Sequence, residues 1–284
     1  MNLIALTLTA VALAGAEAIP TPPLTVMSYN VRFGTADDGP DAWDLRKDRL
    51  VALLADHAPD IIGTQECLDF QAAYLVEQLP GYAWIGQGRQ ADGTGEMTAI
   101  LYRKERLIAL ESGHLWLSET PDVPGSKSWD SSLPRIATWI KFHDRSSGRS
   151  FYAYNTHFDH RGEMARLESA KLIEARIRTR HPQDFVVLTG DFNAMAETSA
   201  PWTALTEGGL RDTWNVADET RGEANTWNGF ATPPLAEARR IDWILVTPGA
   251  HVLSFEVDAR TEAGRFPSDH MPVIARIQPP PAGR

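Results

Sequence analysis

At 284 residues the chain has room for one large domain or two small ones, and 43% apolar with 23% charged residues is the balance of a globular protein rather than a disordered one. A formal net charge of -10, with no run of Lys or Arg, excludes a basic nucleic-acid stripe and a polybasic membrane patch. Cys67 is the single cysteine, which excludes an intrachain disulfide; following an apolar run, it reads as a buried small hydrophobe.

The chain opens with MNLIALTLTAVALAGAEA. Leu3 to Gly15 is apolar but too short for a permanent membrane span, and Ala16-Glu17-Ala18 offers the small-x-small pattern of a processing site. A cleaved export signal is therefore predicted at residues 1–18, although it has no Lys or Arg near its start. The product is expected to be secreted or periplasmic, with no stable membrane span, and monomeric. One domain is predicted over 19–278, and the proline-rich 279–284 reads as a disordered tail.

Strand-like apolar runs then recur at 25–33, 60–65, 97–102, 136–143, 151–157, 185–189, 241–246, 252–257 and 271–277. Several are continuous rather than alternating, as in strands covered on both faces. Helical periodicity appears at 44–55, 68–79 (stopped by Pro80-Gly81) and 163–180, the longest. Two long polar loops, Ser118–Pro134 and Asp218–Arg239, have the length of substrate-binding loops or lids.

The chemically capable side chains fall where these runs end. Asn30 ends TVMSYN, Glu66 ends PDIIGTQE, His157 and Asp159 end FYAYNTHFD, and Asp191 and Asn193 end FVVLTGDFN. Asp242 opens IDWILV, and Asp269-His270 precedes MPVIARI. One Asp or Asn after a strand is ordinarily a turn former, bonding its own backbone. Turn chemistry explains the joint pattern poorly, whereas a rigid sheet edge is a common place for a catalytic cluster. Carboxylate and amide oxygens suit Mg²⁺, Mn²⁺ or Ca²⁺, and no Cys/His cluster favours zinc. Such a metal stabilises charge developing on a phosphoryl oxygen while a carboxylate orients or deprotonates water.

The ordered set MSYNVRFG, GTQE, GEMTAILYRK, NTHFDHRGE, LTGDFN, RIDWILV and SDHMPV resembles the endonuclease/exonuclease/phosphatase superfamily, with its deoxyribonuclease I-like fold, over residues 25–277. The resemblance implies an α/β, four-layer sandwich of two packed, mostly antiparallel sheets flanked by helices. It implies a metal side of Asn30, Glu66 and Asp269, with Glu66 as the principal ligand. It implies that Asp191 positions or activates water, that Asn193 holds the phosphate, that Asp242 orients His270, and that Glu96 is the carboxylate partner of His157. His157 resembles the deoxyribonuclease I, sphingomyelinase and inositol phosphatase branches more than the abasic-site endonucleases, and WLSETP, LPRIATW and HFDHRGE resemble exported bacterial members. Arg135 and Arg161 are further candidates for gripping phosphate in the bidentate manner of a guanidinium. Arg32, Arg166 and the remaining histidines, His57, His114, His143, His160, His181 and His251, read as structural. Trp116, Trp129 and Trp227 lie in or beside the long loops, where they line either a substrate rim or the core.

These readings make the chain a metal-dependent phosphoesterase of a small phosphodiester or phosphomonoester. A secreted nuclease stays open as an alternative, as does a non-catalytic binder on the same fold. A binder, however, has no use for the full catalytic set.

Overall fold

The continuous apolar runs become strands whose alternate side chains serve two different cores. In β1 (Leu24–Asn30), Leu24 and Val26 face one apolar cluster, whereas Met27 and Tyr29 face another. A computed structural model describes residues 22–181, 184–231 and 238–280. The predicted export signal lies outside the described residues, as does the end of the predicted tail. Pro279 and Pro280, the start of that tail, are half-buried, and the Pro280 carbonyl accepts a hydrogen bond from Arg149.

After β1 come α1 (Trp43–His57), β2 (Ile61–Gln65), α2 (Asp69–Gln78), β3 (Tyr82–Ile85), β4 (Ile100–Arg103), β5 (Leu107–Trp116), β6 (Ile136–Asp144) and β7 (Arg149–His157). The longest helix, α3 (Glu163–Arg180), leads to β8 (Val186–Asp191), α4 (Ala200–Glu207), β9 (Arg211–Asp212), the single turn α5 (Thr213–Val216) and β10 (Ala217–Arg221). β11 (Asp242–Val246), β12 (His251–Val257) and β13 (Val273–Gln278) complete the order.

Among the described residues these strands form a seven-stranded sheet, β10-β12-β13-β1-β2-β4-β3, and a six-stranded sheet, β5-β6-β7-β8-β11-β9. Both are mixed: β1–β2, β10–β12 and β7–β8 are parallel and the other pairs antiparallel. Apolar side chains from both sheets, among them Val26, Ile61, Phe142, Phe151, Val187 and Ile244, fill the space between them. Outside the first sheet, Leu50, Leu53 and Leu54 of α1 pack with Ala72 and Leu75 of α2; outside the second lie Ala170, Ile173 and Ile177 of α3 with Leu205 of α4. The result is the four-layer α/β sandwich expected from the sequence.

One part of this interior is polar. Asn155 of β7 accepts from Gln65 Nε2 (2.7 Å) and Thr189 Oγ1 (3.0 Å), and donates to the carbonyls of Thr64 (2.7 Å) and Ala99 (3.1 Å). Gln65 Nε2 also reaches Ser28 Oγ at 3.1 Å. The bonds from Asn155 to Gln65, Thr64 and Ala99 cross between the two sheets in full burial, where unpaired polar groups are costly. Gly63 permits the close approach, since a β-carbon there would lie 2.1 Å from Thr189 Oγ1 and 2.6 Å from Asn155 Oδ1.

Four strands escaped the sequence reading. β5 is an edge strand, bulged between Ala109 and Glu111 and half exposed, so Glu111, Ser112 and His114 break its apolar pattern. β3 and β9 are short, and β10 is mostly exposed and occupies part of the segment expected to be the second long loop.

Candidate active site

Strand register assembles the site. β7 and β8 run parallel with His157 opposite Asp191, and β8 and β11 run antiparallel with Asp191 opposite Asp242. Three neighbouring strands of one sheet therefore deliver His157, Asp191 and Asp242 in a row. From the other sheet, β1 and β2 end with Asn30 opposite Gln65, which places Asn30 beside Glu66. Glu66 (φ 57°) and Asn193 (φ 47°) both take left-handed backbone just past a strand end, a conformation that costs free energy and concentrates at functional positions.

Asp191 is the point where the two sheets' residues meet. Its Oδ2 accepts from Asn30 Nδ2 at 3.0 Å and lies 3.4 Å from His157 Nε2 and 3.7 Å from His270 Nε2. Its Oδ1 accepts from the Asn193 amide at 2.9 Å. Asn30 Nδ2 also donates to Glu66 Oε1 (3.1 Å), whose other oxygen accepts from Phe33 N (2.9 Å). Asn193 Nδ2 donates to His157 Nε2 (3.0 Å) and to Phe158 O (3.1 Å). His270 Nδ1 meets Asp242 Oδ2 at 2.9 Å, and Thr226 Oγ1 accepts from the Asp242 amide at 3.1 Å.

This geometry splits the two histidines electrostatically. Burial disfavours the charge on His270, but Asp242 and Asp191 outweigh it and hold the imidazole well above its ordinary pKa. Burial, then Arg135 and Arg89, push His157 well below its ordinary value, so that it stays neutral. Burial and then Asp242 push the Asp191 carboxyl up, against the opposing pull of His270. Asp269 is raised mainly by burial, with Glu66 adding to the effect.

Glu66, His157, Asp191, Asn193, Asp269 and His270 border a cavity of about 410 Å³, also lined by Phe33, Leu133, Arg135 and Trp227. Ligand atoms of Glu66, His157 and Asp191 lie within 4.8 Å of one another. Asp269 borders the same cavity, its Oδ2 3.6 Å from Arg32 Nη1. The oxygens of Glu66 and Asp191 converge on one amide, in a buried setting with surplus negative charge and no thiolate. That donor set fits a hard divalent cation.

Several expectations need correction. Glu96 does not pair with His157; both of its oxygens are taken by Arg89, at 2.9 and 2.7 Å. Arg161 is exposed and absent from the cavity wall, contributing its backbone amide to Asp159. Arg135 does line the cavity. His160, read as structural, also lines it, with Nδ1 2.9 Å from Arg135 Nη2. Arg32, also read as structural, forks Asp38 at 3.0 and 2.7 Å and lines the cavity too. Trp227 borders the cavity, whereas Trp116 is core, donating to Arg89 O at 2.7 Å. Cys67 is buried, and burial pushes its thiol up to about 12, as an inert hydrophobe requires.

Arg89 was missed altogether. It stands opposite Glu96 across a turn at Asp92-Gly93, the Arg89 amide donating to Glu96 O at 3.0 Å. The legible signal was an Arg and a Glu flanking GRQADGTGE, where Gly93 (φ +80°) serves the turn.

A family model described as the Endonuclease/Exonuclease/phosphatase family matches residues 27–270. A mannosyl-6-phosphatase from Bacteroides thetaiotaomicron superposes with a TM-score of 0.83 at 39% identity, covering 89% of this chain and 99% of that one. An endonuclease/exonuclease/phosphatase from Bacteroides vulgatus does so with 0.86 at 37%, covering 90% and 99%. Mouse tyrosyl-DNA phosphodiesterase 2 is 23% identical over 275 residues, spanning 92% of this chain and 70% of its own length.

Proposed function

The chain belongs to the endonuclease/exonuclease/phosphatase family, and from that premise we propose that it is a divalent-metal-dependent phosphoesterase hydrolysing a phosphodiester or phosphomonoester of a small substrate by in-line attack of water. The observation that carries this reading is Asp191, one buried carboxylate held between the Asn30–Glu66 pair and the two histidines His157 and His270. A divalent metal would be held by Glu66 and Asn30 with Asp269 nearby, and would supply charge neutralisation at a phosphoryl oxygen.

The chain's own residues divide the remaining work. Asp191, with its affinity for a proton raised by burial, orients water and accepts a proton from it. His270, kept cationic by Asp242, presents Nε2–H to a phosphate oxygen and steadies developing negative charge. Asn193 fixes neutral His157 through Nε2, and the two form the opposite wall. The 410 Å³ cavity suits a small leaving group, and the Bacteroides thetaiotaomicron mannosyl-6-phosphatase makes sugar phosphates the first class to try.

Purified protein is assayed on nitrophenyl phosphate, bis-nitrophenyl phosphate, hexose 6-phosphates and plasmid DNA with Mg²⁺, Mn²⁺ or Ca²⁺. Hydrolysis of a small ester that EDTA abolishes and metal restores is the expected result. Preferential cleavage of DNA would instead favour the nuclease reading, and no cleavage under any metal would leave a binding protein. We further propose that residues 1–18 are removed on export; mass spectrometry of the protein recovered outside the cytoplasm should show a start at residue 19.

A further inference from the structure

Two buried arginines on the cavity wall nearest His157 retain unused hydrogen-bonding capacity. Arg135, 4% exposed, directs Nε to Asp159 Oδ2 (3.4 Å) and Nη2 to His160 Nδ1 (2.9 Å), while its buried Nη1 meets no acceptor. Arg89, 8% exposed, forks Glu96 through Nη1 and Nη2, and its buried Nε meets none. Arg46, Arg49 and Arg103 also leave a buried guanidinium nitrogen unpaired, but among the described residues Arg89 and Arg135 are the ones that do so on this cavity, and a guanidinium cannot lose its proton to escape the penalty.

The needs of the fold do not account for Arg135. Asp159 Oδ2 already accepts from the Ser132 amide (3.1 Å) and hydroxyl (2.7 Å), and its Oδ1 accepts from the amides of Arg161 (3.0 Å) and Gly162 (2.8 Å). Burial of Asp159 is therefore compensated without the guanidinium. The same bonds, with Leu133 N at 3.3 Å, draw the end of the 118–134 loop down and close this side of the cavity. Arg89 and Arg135 also share a small recess with His157, so their cationic ends stand beside the side chain that neighbours Asp191 and Asn193.

We propose that Arg89 and Arg135 form an anion clamp that selects a phosphomonoester over a phosphodiester. This inference rests on the phosphoesterase reading above. A terminal phosphate brings three free oxygens and a charge of about −1.5 to −2 at neutral pH. A diester has one free oxygen fewer and carries a single negative charge. On the closed side, two guanidinium groups match the extra oxygen and charge of the monoester. A second ester substituent placed there would have to displace two buried arginines.

The test compares kcat/KM for p-nitrophenyl phosphate and bis-p-nitrophenyl phosphate in the purified full chain with added metal, for wild type, Arg89→Gln, Arg135→Gln and Arg135→Lys. Wild type is expected to favour the monoester. Each Gln variant should lower the monoester-to-diester ratio by about 10- to 100-fold, the range for a lost hydrogen bond to a charged group, and raise the inhibition constant of inorganic phosphate. Arg135→Lys, keeping the charge without the fork, should recover part of the ratio. A wild-type preference for the diester, or a ratio unmoved in variants that keep the native circular dichroism spectrum, overturns the clamp and leaves the phosphoesterase reading standing. Wild-type protein that cleaves neither ester overturns both.

Discussion

Replacing Asp191 with Asn should separate activity from stability. The side chain keeps its shape and its Oδ1 contact with the Asn193 amide, but loses the charge that faces Asn30, His157 and His270 at 3.0, 3.4 and 3.7 Å. Loss of a general base lowers the rate by about 10²–10⁴-fold. In metal-free protein the same change removes a carboxylate that has Asp242 beside it and shares the cavity with Glu66 and Asp269. Removing a carboxylate whose charged form burial and Asp242 disfavour gains stability, the lost acceptor for Asn30 Nδ2 offsets part of it, and about 1–2 kcal/mol remains. At about 2–4 °C per kcal/mol, Tm in EDTA should rise by about 2–8 °C. The assay pairs steady-state kinetics with differential scanning fluorimetry in EDTA. An Asp191→Asn variant that keeps more than a tenth of wild-type kcat, or that melts several degrees lower, refutes the reasoning.

Other outcomes follow from the same structure. Asp242→Asn and His270→Ala should each lower kcat/KM by about 10²-fold or more, and the double variant should fall little further, because Asp242 acts through the 2.9 Å bond to His270 Nδ1; additive losses in a double-mutant cycle would sink that assignment. Burial alone would raise the Asp159 carboxyl, but the bonds from Gly162, Ser132 and Arg161 outweigh it and hold it well below the usual carboxylate range. Its folded pKa being depressed, the stabilisation is complete above the unfolded value of about 3.9 and disappears as pH falls through the folded value. Urea unfolding of Asp159→Asn should therefore show lower stability at pH 7 and a shallower decline on acidification below about pH 5. Gly63→Ala should destabilise by about 3 kcal/mol or more in the same experiment, since its methyl collides with Thr189 Oγ1 and Asn155 Oδ1 inside the sheet interface.

What the sequence disclosed, and what it hid, has a physical logic. β1, β8 and β11 were readable because both faces are buried, so Val186-Val187-Leu188 and Trp243-Ile244-Leu245 leave no polar interruption. Asn30, Glu66, His157, Asp191, Asp242 and His270 were readable because each abuts such a run, and register does the rest. Arg89 and His160 were not, because they sit on turns whose approach to the cavity depends on tertiary folding. Glu96 was found but given the wrong partner: its spacing from Arg89 across the Asp92-Gly93 turn decides the contact, and that is a hairpin property rather than a strand-end one. β5 and β10 were hidden by exposure, since a sheet edge has little apolar pattern to show.

The polar stitch through Asn155 has a consequence for how this scaffold can change. Asn30 and Glu66 ride on one sheet and His157 and Asp191 on the other, so their alignment is only as accurate as the separation and slide of the two sheets. Directional bonds from Asn155 to Gln65, Thr64 and Ala99 set that alignment deep in the interior, away from the loops that line the cavity. The contacts that align the two sheets are thereby set apart from the residues that line the cavity. Residues 118–134 can be rewritten for a different leaving group while the aim of Asp191 is kept, and a single change at Gly63 or Asn155 can spoil that aim without touching any ligand.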